Sequence, residues 1–214
     1  MRLHALTCGW IDVPLSGFLA GAEGRLRVPV PCFLIEHPRG LVLFDSGLHR
    51  DTQRDPAARL GVAAQIFGIE FAGGEEVGAR LVVQRREWQV GAEPDLIATQ
   101  HYNPADYALG HDVLELDGEH DLFGDGRVVC LPTPGHTPGH QSLRVRLDCG
   151  DVILTADACY LRRTLEDLHL PSIVHDEAAV RTSLLRLRAL RAGGARLVFG
   201  HEPAGWKQVA ASLA

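Results

Sequence analysis

Three segments of this 214-residue chain follow one plan: a short apolar run, read as a strand, ends in a turn that presents a histidine or an aspartate. The first is Leu131-Pro-Thr-Pro-Gly-His136-Thr-Pro-Gly-His140-Gln-Ser142, with prolines and glycines around both histidines. Such a turn fixes the backbone and limits rotamer freedom before any ligand arrives, which suits a metal ligand. Taken alone, the segment also reads as a rigid turn whose histidines are simply hydrogen-bonded. The second is Leu154-Thr-Ala-Asp157-Ala-Cys-Tyr160. A carboxylate at the tip of an apolar strand is costly to bury unless it meets a cation or several donors, although a lone aspartate there also serves as a helix N-cap. The third is Leu197-Val-Phe-Gly-His201-Glu202. Three strand tips offering His, Asp and His form a donor set suited to Zn2+ or a similar transition metal. The combination outweighs the separate plainer readings.

The rest of the chain is read as one domain, residues 1–214, with no repeat, linker or low-complexity tract. Val28 to Ile35 and Leu41 to Phe44, around Pro38-Arg39-Gly40, predict a β-hairpin ending at Asp45-Ser46-Gly47. The alanine-rich stretch from Asp55 to Leu81 predicts one or two helices, and Leu81 to Gln84 a short strand running into a helix over 85–90. Residues 93–126 are turn-rich, with one strand near Val113 to Leu116. Strands are expected over 128–131, 142–147, 152–155 and 197–199. A helix is expected over 177–192, where leucines 184, 185, 187 and 190 recur among arginines. Strands and helices in each half permit two sheets packed between helices, a four-layer αββα sandwich of the α/β class.

Bulk properties narrow the partners. The net charge of −6, with 21 basic against 27 acidic residues and no basic run, argues against a nucleic-acid or anionic-membrane surface. Five scattered cysteines without C-x-x-C spacing read as free thiols in a reducing compartment. Met1 to Ala20 is interrupted by Asp12, Pro14 and Gly17, so it lacks a signal-peptide apolar region, and no run approaches a membrane span. The expectation is a cytoplasmic protein.

The strings TPGHTPGHQSL (133–143), TADACY (155–160) and FGHE (199–202) resemble, in that order, the metallo-β-lactamase superfamily, and within it the N-acyl-homoserine lactonase branch. Weaker matches are VPVPCFLIEHPRGLVLFDSG (28–47) and VVQRREW (82–88). The resemblance implies the αββα fold and a two-metal site at one edge of the sandwich. It makes His136 a ligand of one metal, His201 a ligand of the other, and Asp157 the carboxylate bridging both. Tyr160 matches the tyrosine that lactonases point at the substrate carbonyl. His140 takes a structural or supporting place, as does Asp45 in the family's Asp-Ser/Thr-Gly turn. The implied substrate is a small-molecule lactone or ester.

One part of the pattern is missing. The superfamily's His-x-His-x-Asp-His string, which supplies two ligands to each metal and a proton acceptor, is absent. Gln100-His101-Tyr-Asn-Pro-Ala-Asp106 is a poor substitute and follows VVQRREW, whereas the string should precede it. Between Glu75 and Val83 there is no room for a strand and metal loop, so an in-frame loss near Leu81 accounts for the chain best. Expected consequences are a gap in one sheet with an exposed strand edge, one Zn2+ or fewer than the usual two, and impaired activity. His101, His111 and His120 are candidate replacements, each more simply a solvated loop residue. The competing expectation is an inactive remnant that acts as a binding or regulatory partner.

Overall fold

The computed structural model describes residues 1–48, 50–55, 68–71, 80–95, 97 and 102–213. Two sheets face each other. The first contains β1 (Arg2–Pro14), β2 (Arg25–His37), β3 (Gly40–Phe44) and β4 (Gly68–Phe71), ordered β3-β2-β1-β4 and antiparallel throughout. A separate parallel pair joins β5 (Leu81–Gln84) to β6 (Val113–Leu116). The second sheet runs β11-β10-β9-β8-β7, from β7 (His120–Asp121), β8 (Val128–Pro132), β9 (Gln141–Leu147), β10 (Gly150–Leu154) and β11 (Arg196–Val198). All its pairings are antiparallel except β10–β11.

The second sheet is buried on both faces, which is why its strands read as continuous apolar runs. Val128, Cys130, Val152 and Leu154 point inward and meet Leu3, Phe33 and Ile35 of the first sheet. Val129, Leu131 and Ile153, of opposite parity, point outward. There they meet Leu165 of helix α3 (Arg162–Asp167) and Val180, Leu184 and Leu187 of helix α4 (Glu177–Ala192). Helix α4 is capped by Asp176, whose side chain accepts from the Ala179 N–H, as its sequence boundaries require. Helix α5 (Trp206–Leu213) adds Trp206 and Leu213 to the inter-sheet core. Two shorter helices are α1 (Leu15–Phe18) and α2 (Arg85–Val90).

The hairpin expected at 28–44 is present, with β2 starting three residues earlier. The strands expected over 128–131, 142–147, 152–155 and 197–199 and the helix over 177–192 stand within two residues of those bounds, whereas β7, α3 and α5 were not expected. Two differences have physical causes. Strand β1 has no counterpart in the sequence reading because its alternation breaks: the register against β2 shifts between Thr7 and Gly9, a bulge that turns Cys8 out of step. Within 55–81, read as helical, β4 is a strand on the edge of β1. Its Gly-Ile-Glu-Phe sequence suits a short extended segment better than a helical turn. Residues 56–67 and 72–79 of that expected helical region lie outside the described residues.

Among the described residues the first-half strands form a four-stranded and a two-stranded piece rather than one sheet. Both border one core, since Val42 and Phe44 of β3 and Val82 and Leu114 of the parallel pair pack against the same cluster. No helix among the described residues is long and apolar enough to cross a membrane.

Candidate metal and catalytic site

Parallel pairing of β10 and β11 brings Asp157 and His201 together. Leu154 is level with Val198, and each strand then continues three residues to its functional side chain. The register is extended past the strand ends by Thr155, whose N–H and hydroxyl both donate to the Val198 carbonyl. The Gly200 and His201 N–H groups donate to the Cys159 and Tyr160 carbonyls at 3.0 and 2.9 Å. Gly200 is required here: a Cβ on it would lie 2.4 Å from the Ala156 carbonyl oxygen. Ala156 itself has φ +44°, a left-handed conformation uncommon outside glycine and held by the surrounding bonds.

His136 arrives from β8, two strands away, on the Thr133–His140 turn. That turn is closed by the Thr133 N–H donating to the His140 carbonyl and the Gly135 N–H to the Thr137 carbonyl. Helix α4 supports it from outside: Ser183 Oγ donates to the Pro134 carbonyl and Arg186 Nη1 to that of Pro132. Helix α2 supports it from the other side, with Glu87 Oε2 accepting from the Gly139 N–H at 2.7 Å. The other oxygen of Glu87 accepts from the Tyr102 hydroxyl at 2.6 Å. A buried hydroxyl relay, Thr133 Oγ1 to Ser142 Oγ and Ser142 Oγ to the Thr155 carbonyl, ties this turn to the Asp157 loop.

The three side chains converge. His136 Nε2 lies 3.3 Å from Asp157 Oδ2, and His201 Nε2 lies 3.1 Å from Asp157 Oδ1. The Tyr160 hydroxyl is 3.0 Å from His136 Nδ1. His201 Nδ1–H donates to the Pro29 carbonyl at 2.8 Å, which orients the ring and leaves Nε2 facing the carboxylate. Phe18 stacks on Tyr160 at 4.5 Å and on His201 at 5.4 Å, closing the apolar side.

Charge follows from this arrangement. Burial would raise the Asp157 pKa, but bonds from His136 and His201 outweigh it and hold the carboxylate well below its usual range. For His201, burial acts to lower the pKa and the Asp157 partner acts to raise it; the partner wins. The Tyr160 hydroxyl is pushed well above its ordinary value by burial first and by Asp157 second. It stays protonated.

His140 points into the same turn. Its Nδ1 is 3.0 Å from Thr133 Oγ1, and its ring meets His136 edge-on at 5.9 Å. Burial, and then the neighbouring His136, push its pKa down to about 4. A base with a depressed folded-state pKa favours the neutral form, so its contribution to stability is present above the unfolded value of 6.5 and is lost as pH falls towards 4. The expected loss across that window is about 3 kcal/mol. Urea unfolding of the native chain and His140→Asn at several pH values measures it: the difference in stability between the two should shrink as pH falls from 6.5 to 4.

Asp45 forms a tight turn, with φ +64° and its Oδ1 accepting from the Gly47 N–H at 2.8 Å. It lies close enough to Asp157 and His201 to act on both electrostatically. Among the described residues, neither His111 nor His120 shares a hydrogen bond or ring contact with the Asp157 cluster. His120 sits instead in β7, opposite Cys130. His101 lies outside the described residues. Phe18, the Pro29 carbonyl and Glu87 were not singled out in the sequence. A carbonyl leaves no signature, and Phe18 and Glu87 sit in stretches whose pattern speaks only of packing.

The donor types fit zinc: two imidazole nitrogens and a carboxylate, one imidazole already oriented by a backbone carbonyl. The number does not fit two ions. As they stand, Asp157 is ion-paired to both histidines, and among the described residues no group of three or more His, Cys, Asp or Glu side chains is arranged to hold an ion. An ion held by these three would need the Nε2 lone pairs of both histidines and so would compete with their contacts to Asp157.

Comparison with known proteins gives the family. The model of the metallo-beta-lactamase superfamily matches residues 77–201. An N-acyl homoserine lactonase of Azorhizobium caulinodans is 30% identical, over 96% of this chain and 95% of its own length. One from Agrobacterium fabrum is 28% identical over the same shares. The first match spans 249 positions, whereas 96% of 214 residues is about 205, so about 44 positions of the relative face no residue here. A solved N-acyl homoserine lactone hydrolase, with the product N-hexanoyl-L-homoserine at its catalytic metal centre, superposes with a TM-score of 0.82. It is 22% identical, over 97% of this chain and 95% of that one. A dizinc quorum-quenching lactonase superposes with a TM-score of 0.66 at 15% identity, over 94% and 87%. These likenesses establish the αββα sandwich, and the chain belongs to the metallo-beta-lactamase superfamily, in its N-acyl homoserine lactonase-like branch.

Proposed function

We propose that this protein is a hydrolase of the N-acyl homoserine lactonase type, with an active site reduced to one metal ion or none and lactone opening correspondingly impaired. The observation that carries the reading is the convergence of His136 and His201 on the two oxygens of Asp157, with the Tyr160 hydroxyl on His136. A zinc ion there would act as a Lewis acid and lower the pKa of a bound water. The rest falls to the chain's own groups.

Without an ion, the Tyr160 hydroxyl donates to His136 Nδ1, and His136 Nε2–H donates to Asp157. If Nε2 binds an ion, its proton must move to Nδ1, because a ligating nitrogen needs its lone pair. Nδ1–H then donates to the Tyr160 oxygen, and the phenolic hydrogen is free to turn to a substrate carbonyl. Tyr160 would then be the chain's own donor to the developing oxyanion. Phe18 keeps water from that side of the ring. No described residue takes the place of the missing aspartate in passing the attacking water's proton to the leaving oxygen, which is the physical ground for weak turnover.

Ring opening of an N-acyl homoserine lactone, followed by proton release with zinc present, tests this. Slow opening that falls at least tenfold further in His201→Ala and in Tyr160→Phe supports it. Turnover unaffected by either change overturns it. A second reading, a non-catalytic partner of an intact relative, is favoured by the broken first sheet. It prevails if His136→Ala leaves zinc content and every measured function unchanged.

A further inference from the structure

Two thiols of the first sheet meet at the irregular step in its pairing. Thr7 stands opposite Pro31 and Gly9 opposite Val30, so Cys8 is the extra residue of a bulge in β1. A bulged residue leaves the ladder and its side chain is re-aimed. Here the Cys8 S–H donates to Cys32 Sγ at 3.0 Å. Both cysteines are buried and share a small cluster with Val30. The other two buried cysteines lie apart from them, Cys130 in the inter-sheet core and Cys159 in the outer one, and Cys149 is exposed. Buried cysteine serves elsewhere as a small apolar residue. Packing alone does not call for two sulfurs in direct contact across a bulge. The Asp45-Ser46-Gly47 turn lies on the pair, since a Cβ on Gly47 would sit 2.6 Å from Cys8 Cβ and 3.2 Å from Cys8 Sγ. Strand β2 carries Cys32 three residues beyond Pro29, whose carbonyl orients His201.

We propose that Cys8 and Cys32 form a reversible disulfide, closed by hydrogen peroxide and opened by a dithiol, that locks β1 to β2 at the bulge. The sulfurs need to approach by roughly 1 Å to reach a bond of about 2.05 Å. Burial, and then the Cys8 thiol, push the Cys32 pKa up to about 12, so Cys32 stays protonated at neutral pH and the first attack falls to Cys8. Cys8 attacks a peroxide oxygen and becomes a sulfenic acid, and the other oxygen leaves as water. Cys32 Sγ then attacks the Cys8 sulfur, and the sulfenic hydroxyl departs with the Cys32 proton as a second water. The two thiols are oxidised and the peroxide is reduced. A dithiol reverses the step by exchange through a mixed disulfide. The bond joins positions 24 apart in the chain, so it restricts the unfolded state and stabilises the folded one.

The test uses the full chain, reduced, freed of metal by a chelator and treated with a small excess of hydrogen peroxide. Remaining thiols are alkylated in denaturant, and peptides are mapped by mass spectrometry without reduction. The expected product joins the Cys8 and Cys32 peptides within one chain with the loss of two hydrogens, while Cys130 and Cys159 are recovered as alkylated thiols. The melting temperature should rise by roughly 5–10 °C, and dithiothreitol should return it to the starting value. Cys8→Ala and Cys32→Ala should each abolish the rise. If either variant folds poorly, the linked peptide and its reversal in the native chain decide the matter. Sulfinic acid on Cys8 without a link, or oxidation confined to Cys149, overturns the proposal. So does a link that joins two chains, or an internal link that leaves the melting temperature unchanged or lower.

Discussion

Replacing Gly135 by alanine is expected to destabilise the fold by roughly 3–5 kcal/mol and to lower the melting temperature by about 10 °C. A Cβ at this position would lie 2.4 Å from the Val180 backbone nitrogen and 2.7 Å from its Cα, and the backbone has φ +133°. Neither Val180 nor its backbone can retreat, because Val180 stands in the first turn of helix α4, its N–H donating to the Asp176 carbonyl, and packs its side chain into the outer core. The Gly135 carbonyl also accepts from the His175 and Asp176 N–H groups at the start of that helix, so a shift of the turn breaks those bonds as well. Denaturant unfolding measures the loss. Gly17→Ala is the control, since no atom lies within 4 Å of its added Cβ and φ is ordinary; it should change stability by no more than about 0.5 kcal/mol. A Gly135→Ala protein as stable as the control would show that the His136 turn is not clamped against α4.

Asp157→Asn is expected to weaken zinc binding by at least about 100-fold, beyond the 10–100-fold that loss of a supporting contact costs. It removes one ligand and the charge that orients the other two. The same substitution changes how stability depends on pH, and the signs are opposite for the two groups. Asp157 has a lowered folded-state pKa, so its contribution is present above the unfolded carboxylate value and is lost as pH falls through the folded one. His201 has a raised pKa, so its contribution is full below 6.5 and is lost as pH rises through the folded value. In Asp157→Asn the carboxylate's dependence should vanish and that of His201 should shrink, because Asp157 is the main group raising the His201 value, with smaller help from the Pro29 carbonyl and Asp45. Unfolding curves between pH 3 and 9, with calorimetric zinc titration at neutral pH, follow the two effects. Unchanged zinc affinity in the variant would remove Asp157 from the site.

The second half of the chain was legible because its sheet is covered on both faces. Val128 to Leu131 and Val152 to Leu154 are buried and apolar at every position, so they stand out as runs whatever the register. The turns after β8, β10 and β11 carry residues that a plain turn would not need, so the His, Asp and His positions were readable from spacing alone. That they meet depends on the level pairing of Leu154 with Val198, which no local pattern states. The first half was harder because one face of its sheet is partly solvated. Leu6, Leu41 and Leu43 are exposed while Leu3, Phe33 and Ile35 are buried, and the bulge near Cys8 interrupts the alternation in between. Phe18, the Pro29 carbonyl and Glu87 act on the site from elements distant in sequence. Only the folded chain brings them there.

The expected loss of a segment agrees with the about 44 positions of the Azorhizobium lactonase that face no residue here. That absence also bounds the chemistry. Two metals need ligands from both halves, and the described residues offer three donors, gathered on one carboxylate. Elemental analysis of zinc per chain, after dialysis against excess zinc at neutral pH and removal of loosely bound ion, tests this most directly. One ion or less per chain, reduced further by His136→Ala and by His201→Ala, is the predicted result. Two tightly held ions per chain would contradict it.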